Sequence, residues 1–103
     1  MAVDTKASIF QLLAANRERL HSLGVLRLGL FGSFVRGQQH PASDIDVLVE
    51  FQPERKSFDN FMALSLFLED LLQRPVEVLT LESLSPHIGP RILKEVEYAA
   101  LNG

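Results

Sequence analysis

The 103-residue sequence contains no cysteine, no tryptophan and a single tyrosine. Lack of cysteine excludes disulfides and thiolate metal sites; it fits a reducing compartment, and we expect a cytoplasmic protein. Basic residues are also few: ten Lys and Arg face thirteen Asp and Glu, for a net charge of −3. No Lys/Arg cluster is dense enough to grip a phosphate backbone, so stable nucleic-acid binding is not expected. Long apolar runs are missing. None approaches the roughly 20 residues that a bilayer span needs, and the start, MAVDTKASIFQLLAANRERL, lacks the basic-then-apolar order of a signal peptide. The three histidines, His21, His40 and His87, are scattered and share no metal-binding spacing; His40 alone falls close enough to the motif described below to sit at its rim.

What is present is apolar. Hydrophobic residues make up 47% of a chain short enough to form one domain over residues 1–103. So small a domain has a poor ratio of core to surface, and some of its apolar content is expected outside, as a surface for homo- or hetero-association.

Ile9, Leu12, Leu13, Asn16 and Leu20 follow helical spacing, with Asp4 or Thr5 as cap and Gly24 as the stop. VLRLGLF (25–31) reads as a strand whose interior glycine admits the close approach of another backbone or a ligand. Residues 33–37 form a short helical turn, GQQHPAS a loop, and DIDVLVEF (44–51) the second strand. On that strand Ile45, Val47, Val49 and Phe51 point one way, and Asp44, Asp46, Leu48 and Glu50 the other. A long helix capped by Ser57 or Asp59 is expected through Arg74, with Phe58, Phe61, Met62, Ser65, Leu68 and Leu72 along one side. VEVLT (76–80) is a third strand; Pro86 and Pro90 flank a turn before a last helix, RILKEVEYAAL, in which Tyr98 packs. The order is α-β-α-β-α-β-α, an α/β domain with a small sheet. The segment ERK (54–56) is a solvated loop.

Two carboxylates one residue apart on a strand face the same way, with Cα atoms about 6.5–7 Å apart. They repel each other unless a divalent cation lies between them, and hard oxygen ligands suit Mg2+. Upstream, Gly32-Ser33 directly follows a strand and precedes a helical turn, so its backbone N–H groups can face an anion; Ser33 adds a hydroxyl and Arg36 a cation. A phosphate cradle beside a metal site is what a nucleoside triphosphate with Mg2+ requires. Glu77, second in the third strand, supplies a third carboxylate if the strands are neighbours, for metal or for the proton of the attacking group. Gly-Ser alone is only a turn signal. Gly-Ser, ten residues, then Asp-x-Asp arises by chance in roughly one chain in a thousand of this length.

GSFVRGQQHPASDIDVLVEF resembles the signature of the DNA polymerase β-like nucleotidyltransferase superfamily. With PVEVLT and LSPHIGPRILKEVEYA, nearly the whole chain is similar to the minimal nucleotidyltransferases (MNT), the antitoxin halves of HEPN–MNT toxin–antitoxin pairs. The resemblance implies a palm-like α+β fold, a small mixed β-sheet backed by helices. It implies that Gly32 and Ser33, with Arg36 near, hold ATP, that Asp44 and Asp46 with Glu77 bind Mg2+ (two ions), and that AMP passes to a tyrosine of a cognate HEPN ribonuclease toxin. Many relatives carry an aspartate where Glu77 stands, a difference that displaces a general base by about 1 Å. A non-catalytic antitoxin that neutralises its toxin by binding alone is the alternative. Transfer to a small molecule such as an aminoglycoside is disfavoured, because a chain this short has no acceptor domain.

Overall fold

The computed structural model describes residues 3–101; the two residues at each end of the predicted 1–103 domain lie outside the described residues. Four strands, β1 (Val25–Phe31), β2 (Ile45–Phe51), β3 (Val76–Thr80) and β4 (Glu97–Tyr98), form one sheet in the order β3-β2-β1-β4. β1 runs antiparallel to β2 and β4, and β2 runs parallel to β3. The sheet is therefore mixed and the fold α+β, as the resemblance implied; the plain α/β reading is refined accordingly.

The two faces of the sheet are covered unequally. Val25, Leu28 and Leu30 of β1, Ile45, Val47 and Val49 of β2, and Val76 and Val78 of β3 pack in the main core. Against them lie α1 (Lys6–Ala15), α2 (Arg17–Ser22), Phe34 of α3 (Ser33–Arg36), and α4 (Phe58–Leu72). The alternate positions form a second, smaller cluster in which Phe31 and Leu48 meet Ile92 of α5 (Gly89–Glu95). The alternation read along β2 is thus the division between the two faces, and Asp46 and Glu77 belong to the thinly covered one.

Several expected boundaries differ, each for a local reason. The first helix is two: Asn16 Nδ2 donates to the Leu12 carbonyl at 2.8 Å, and its backbone (φ −113°, ψ 22°) leaves the helix. Thr5 caps α1 and Ser57 caps α4, as two of the candidates offered. α4 stops at Leu72 rather than Arg74, because Pro75 disfavours helix at Arg74 and Gln73 turns left-handed at φ 56°. Its buried stripe is Leu64, Leu68 and Leu72, while Phe58, expected on that stripe, is 76% exposed.

The last helix is shorter than predicted. It begins at Gly89 with Pro90 in its first turn, where the missing N–H is harmless. It ends at Glu95; Val96 turns extended and Glu97–Tyr98 add a fourth strand to β1, with Ala99 N–H donating to Leu28 O at 2.8 Å. Tyr98 therefore sits on an edge strand, not a helix, with the Arg27 guanidinium 4.6 Å above its ring. Gly29 makes this possible: a Cβ there would come within 2.6 Å of Val96 Cγ2 and 3.1 Å of Glu97 O. The close approach read from that glycine is made by β4.

Candidate active site

The site forms where β1 ends, β2 begins and α5 crosses the open face. Gly32 follows β1 directly and adopts φ 79°, ψ −153°, a conformation almost confined to glycine. A Cβ there would overlap the Asp46 carboxylate, so the turn and Asp46 press together. In the sheet register Asp46 lies opposite Phe31 on one side and Glu77 on the other. Asp44 stands just before β2, exposed, rather than inside the strand as its expected span had it.

The loop carrying Asp44 is held by a residue that sequence reasoning missed. Arg74 donates to the carbonyls of Val3 (2.7 Å), Pro41 (3.1 Å) and Ser43 (3.0 Å), and its guanidinium lies 5.1 Å from the Phe34 ring of α3. One side chain thus ties the metal-side loop to the helix that follows the Gly-Ser turn. Only the isolated Arg-Pro pair after a helix was visible as a signal, and it says nothing of such partners. His40, expected at the site's rim, instead lines a larger cavity of about 690 Å3 beside Arg74 and Pro75. None of the candidate carboxylates Asp44, Asp46 and Glu77 lines that cavity.

The site cleft is smaller, about 300 Å3, and is bounded by Phe31, Gly32, Arg36, Asp46, Ile88 at the start of α5, and the α5 residues Arg91, Ile92 and Glu95. None of the α5 residues was singled out from the sequence, since their place over the sheet depends on the turn at residues 85–88. Glu95 is the most consequential. Its Oε2 accepts the Gly32 N–H at 2.7 Å and its Oε1 accepts Arg36 Nη1 at 2.7 Å. Desolvation opposes its charge, but the Gly32 N–H, the Arg36 hydrogen bond and the Arg36 and Arg91 charges together hold its carboxyl below the usual glutamate range. Arg36 is thereby in an ion pair while still facing the cleft.

Asp46 shows the opposite balance. Desolvation first, then the charges of Glu77 and Asp44, push its carboxyl up to about 6. Arg36 works against this, and Glu95 adds to it. Negative charge is concentrated on this face and Arg36 offsets it only in part; the donors are hard oxygens, so the set fits Mg2+. Among the described residues no three Asp, Glu, His or Cys side chains close into a metal cage. The structure offers an open carboxylate site instead, of the sort Mg2+ completes with phosphate oxygens and water.

A glycine cradle with a cation beside a carboxylate pair, on a small mixed sheet backed by helices, defines a nucleotidyltransferase. The nucleotidyltransferase domain family matches residues 11–99, and the chain belongs to it. Among known proteins, the chain is 38% identical to protein adenylyltransferase MntA of Thermococcus cleftensis, over 95% of this chain and 99% of that one. A structure solved as that of a minimal nucleotidyltransferase superposes with a TM-score of 0.70 at 32% identity, covering 85% of this chain and 93% of the other. A toxin–antitoxin complex solved with AMP-PNP shares the fold at 24% identity and a TM-score of 0.63, over 85% and 73% of the two chains.

Proposed function

We propose that this nucleotidyltransferase is an antitoxin that transfers AMP from ATP to a tyrosine of a cognate HEPN toxin. The observation that carries it is the Asp46 carboxyl, raised to about 6 beside Glu77 and Asp44 and pressed against the Gly32 turn. Such a site is electrostatically incomplete without a cation, and the reading is supported by Gly32 and Arg36, whose N–H groups, bonded to Glu95, line the same cleft as Asp46. The similarity to a protein adenylyltransferase and the AMP-PNP found in a complex of the same fold support the choice of nucleotide and of a protein acceptor.

In this reading Gly32, Ser33 and Arg36 bind the phosphates, and Asp44 and Asp46 hold Mg2+ with Glu77 next to them. Bound there, Mg2+ supplies charge stabilisation at the α-phosphate and lowers the pKa of the acceptor hydroxyl. Arg74 keeps the Asp44 loop in place, and α5 shields one side of the cleft from water. Glu77, which is exposed and in register with Asp46, accepts the acceptor's proton in this reading. The cleft of about 300 Å3 is bounded on its open side by α5, and a partner that brings its own surface fits it better than a free small molecule.

The test is intact mass spectrometry after incubation with the HEPN partner, ATP and Mg2+. Addition of AMP to the partner is expected with the wild type and not with Asp44→Asn, whose exposed position leaves the fold unchanged. Folded wild-type protein that adds no AMP while still blocking the toxin would replace this reading with neutralisation by binding alone.

A further inference from the structure

Glu95 has no part in the transfer just described, yet it holds the donors that the nucleotide needs. We propose that the Glu95 carboxylate is a built-in competitor of the nucleotide, occupying the phosphate positions at Gly32 and Arg36 until the nucleotide displaces it. The proposal rests on the assignment of this cleft to ATP.

The match is geometric. Two carboxylate oxygens take two separate donors, the Gly32 N–H and Arg36 Nη1, each at 2.7 Å, as two non-bridging oxygens of one phosphate do. The Glu95 side chain is only 23% exposed, so these charge-assisted bonds are partly shielded from water. Gly32 has a single N–H to give. An incoming phosphate at this turn must therefore take that donor from Glu95, and the repulsion between the two anions favours exchange over sharing. Arg91 lines the same cleft.

Displacement also has a route outward. Glu95 is the last residue of α5, and Val96 leads straight into β4, which pairs with β1 only at Gly29–Tyr98 and Leu30–Glu97. A Glu95 that leaves the cradle pulls on the shortest strand of the sheet.

A plain structural tie between α5 and the Gly32 turn predicts the reverse outcome, because cutting it would loosen the cradle and weaken binding. The discriminating measurement is AMP-PNP affinity in the presence of Mg2+, by calorimetry on the full chain. It is made for wild type, Glu95→Gln, Glu95→Ala and Glu97→Gln, each shown folded by circular dichroism. Glu97 carries the same charge two residues on and is paired with Lys6, outside the cradle. Glu95→Gln and Glu95→Ala are expected to bind about 5–10-fold tighter than wild type, with Glu97→Gln within about twofold. Equal or weaker binding by the Glu95 variants, or an equal gain in Glu97→Gln, overturns the competitor and leaves the nucleotide site standing. No binding by wild type and variants alike removes the site itself. Hydrogen exchange supplies the second readout: AMP-PNP accelerates exchange of the Ala99 amide, which bonds Leu28 O, in wild type but not in Glu95→Gln. Unchanged exchange in wild type at saturating nucleotide also counts against displacement.

Discussion

At Asp46, burial and charge oppose each other. The strand register places this carboxylate against the Gly32 turn and beside Glu77, where its ionised form is poorly solvated and repelled. Its folded pKa of about 6 lies above the ordinary aspartate value of about 3.9. Between those values the folded state binds more protons than the unfolded one, so this group makes stability fall as pH rises through the window. Discounted for partial exposure, the liability at pH 7.5 is about 1 kcal/mol. Asp46→Asn should therefore raise the metal-free melting temperature by about 5 °C at pH 7.5, with the gain gone by about pH 4. Thermal melts at the two pH values check this, and an Asp46→Asn protein no more stable than wild type at pH 7.5 contradicts the proposed charge imbalance. The positions of Gly32 and Asp46 were legible because local rules govern them: a glycine directly after a strand, and a polar residue at an alternating strand position. Glu95 and Arg74 were not, since each acts on partners dozens of residues away in sequence.

Among the elements, β4 is where local and tertiary preferences conflict. EVEYAAL has helical composition, and an isolated chain would extend α5 through it. The open edge of β1 offers backbone groups that a strand satisfies, and Gly29 leaves room for it. Gly29→Ala inserts a methyl group against Val96, a stiff branched side chain, and against the Glu97 carbonyl. A loss of about 1–2 kcal/mol in urea unfolding is expected, together with faster exchange at Ala99. An unaltered unfolding midpoint would mean that β4 yields without strain. The strands β1, β2 and β3 were readable in advance because alternation records which face is buried. The turns of α4 were misaligned because Phe58 and Met62 are as apolar as Leu64 and Leu68, and hydrophobicity alone cannot say which stripe faces the sheet.

For the whole molecule, the apolar surplus does reach the surface. Phe58, Met62 and Leu66, spaced four apart on α4, are 76%, 39% and 63% exposed and form an outer stripe opposite the buried one. No helix among the described residues is long and apolar enough to cross a membrane. If the proposed function holds, the nucleotide acts as a global stabiliser, because a ligand that binds only the folded chain draws the equilibrium towards it. At 100 times its dissociation constant, AMP-PNP with Mg2+ contributes about 2.7 kcal/mol, an upward shift on the order of 10 °C for a domain of this size. Asp44→Asn should show little of that shift; a full shift in this variant would remove Asp44 from the metal site.

By itself the amino-acid order determined where the glycine turn and the first three strands fall and which face of β2 Asp46 takes, because both follow from spacing along a few neighbouring residues. Tertiary structure alone decided that α5 bends back over that face, that its final glutamate takes the donors of the glycine turn, and that the tail completes the sheet. Those outcomes depend on contacts between distant segments, whose free energy is settled only when the whole sheet has formed.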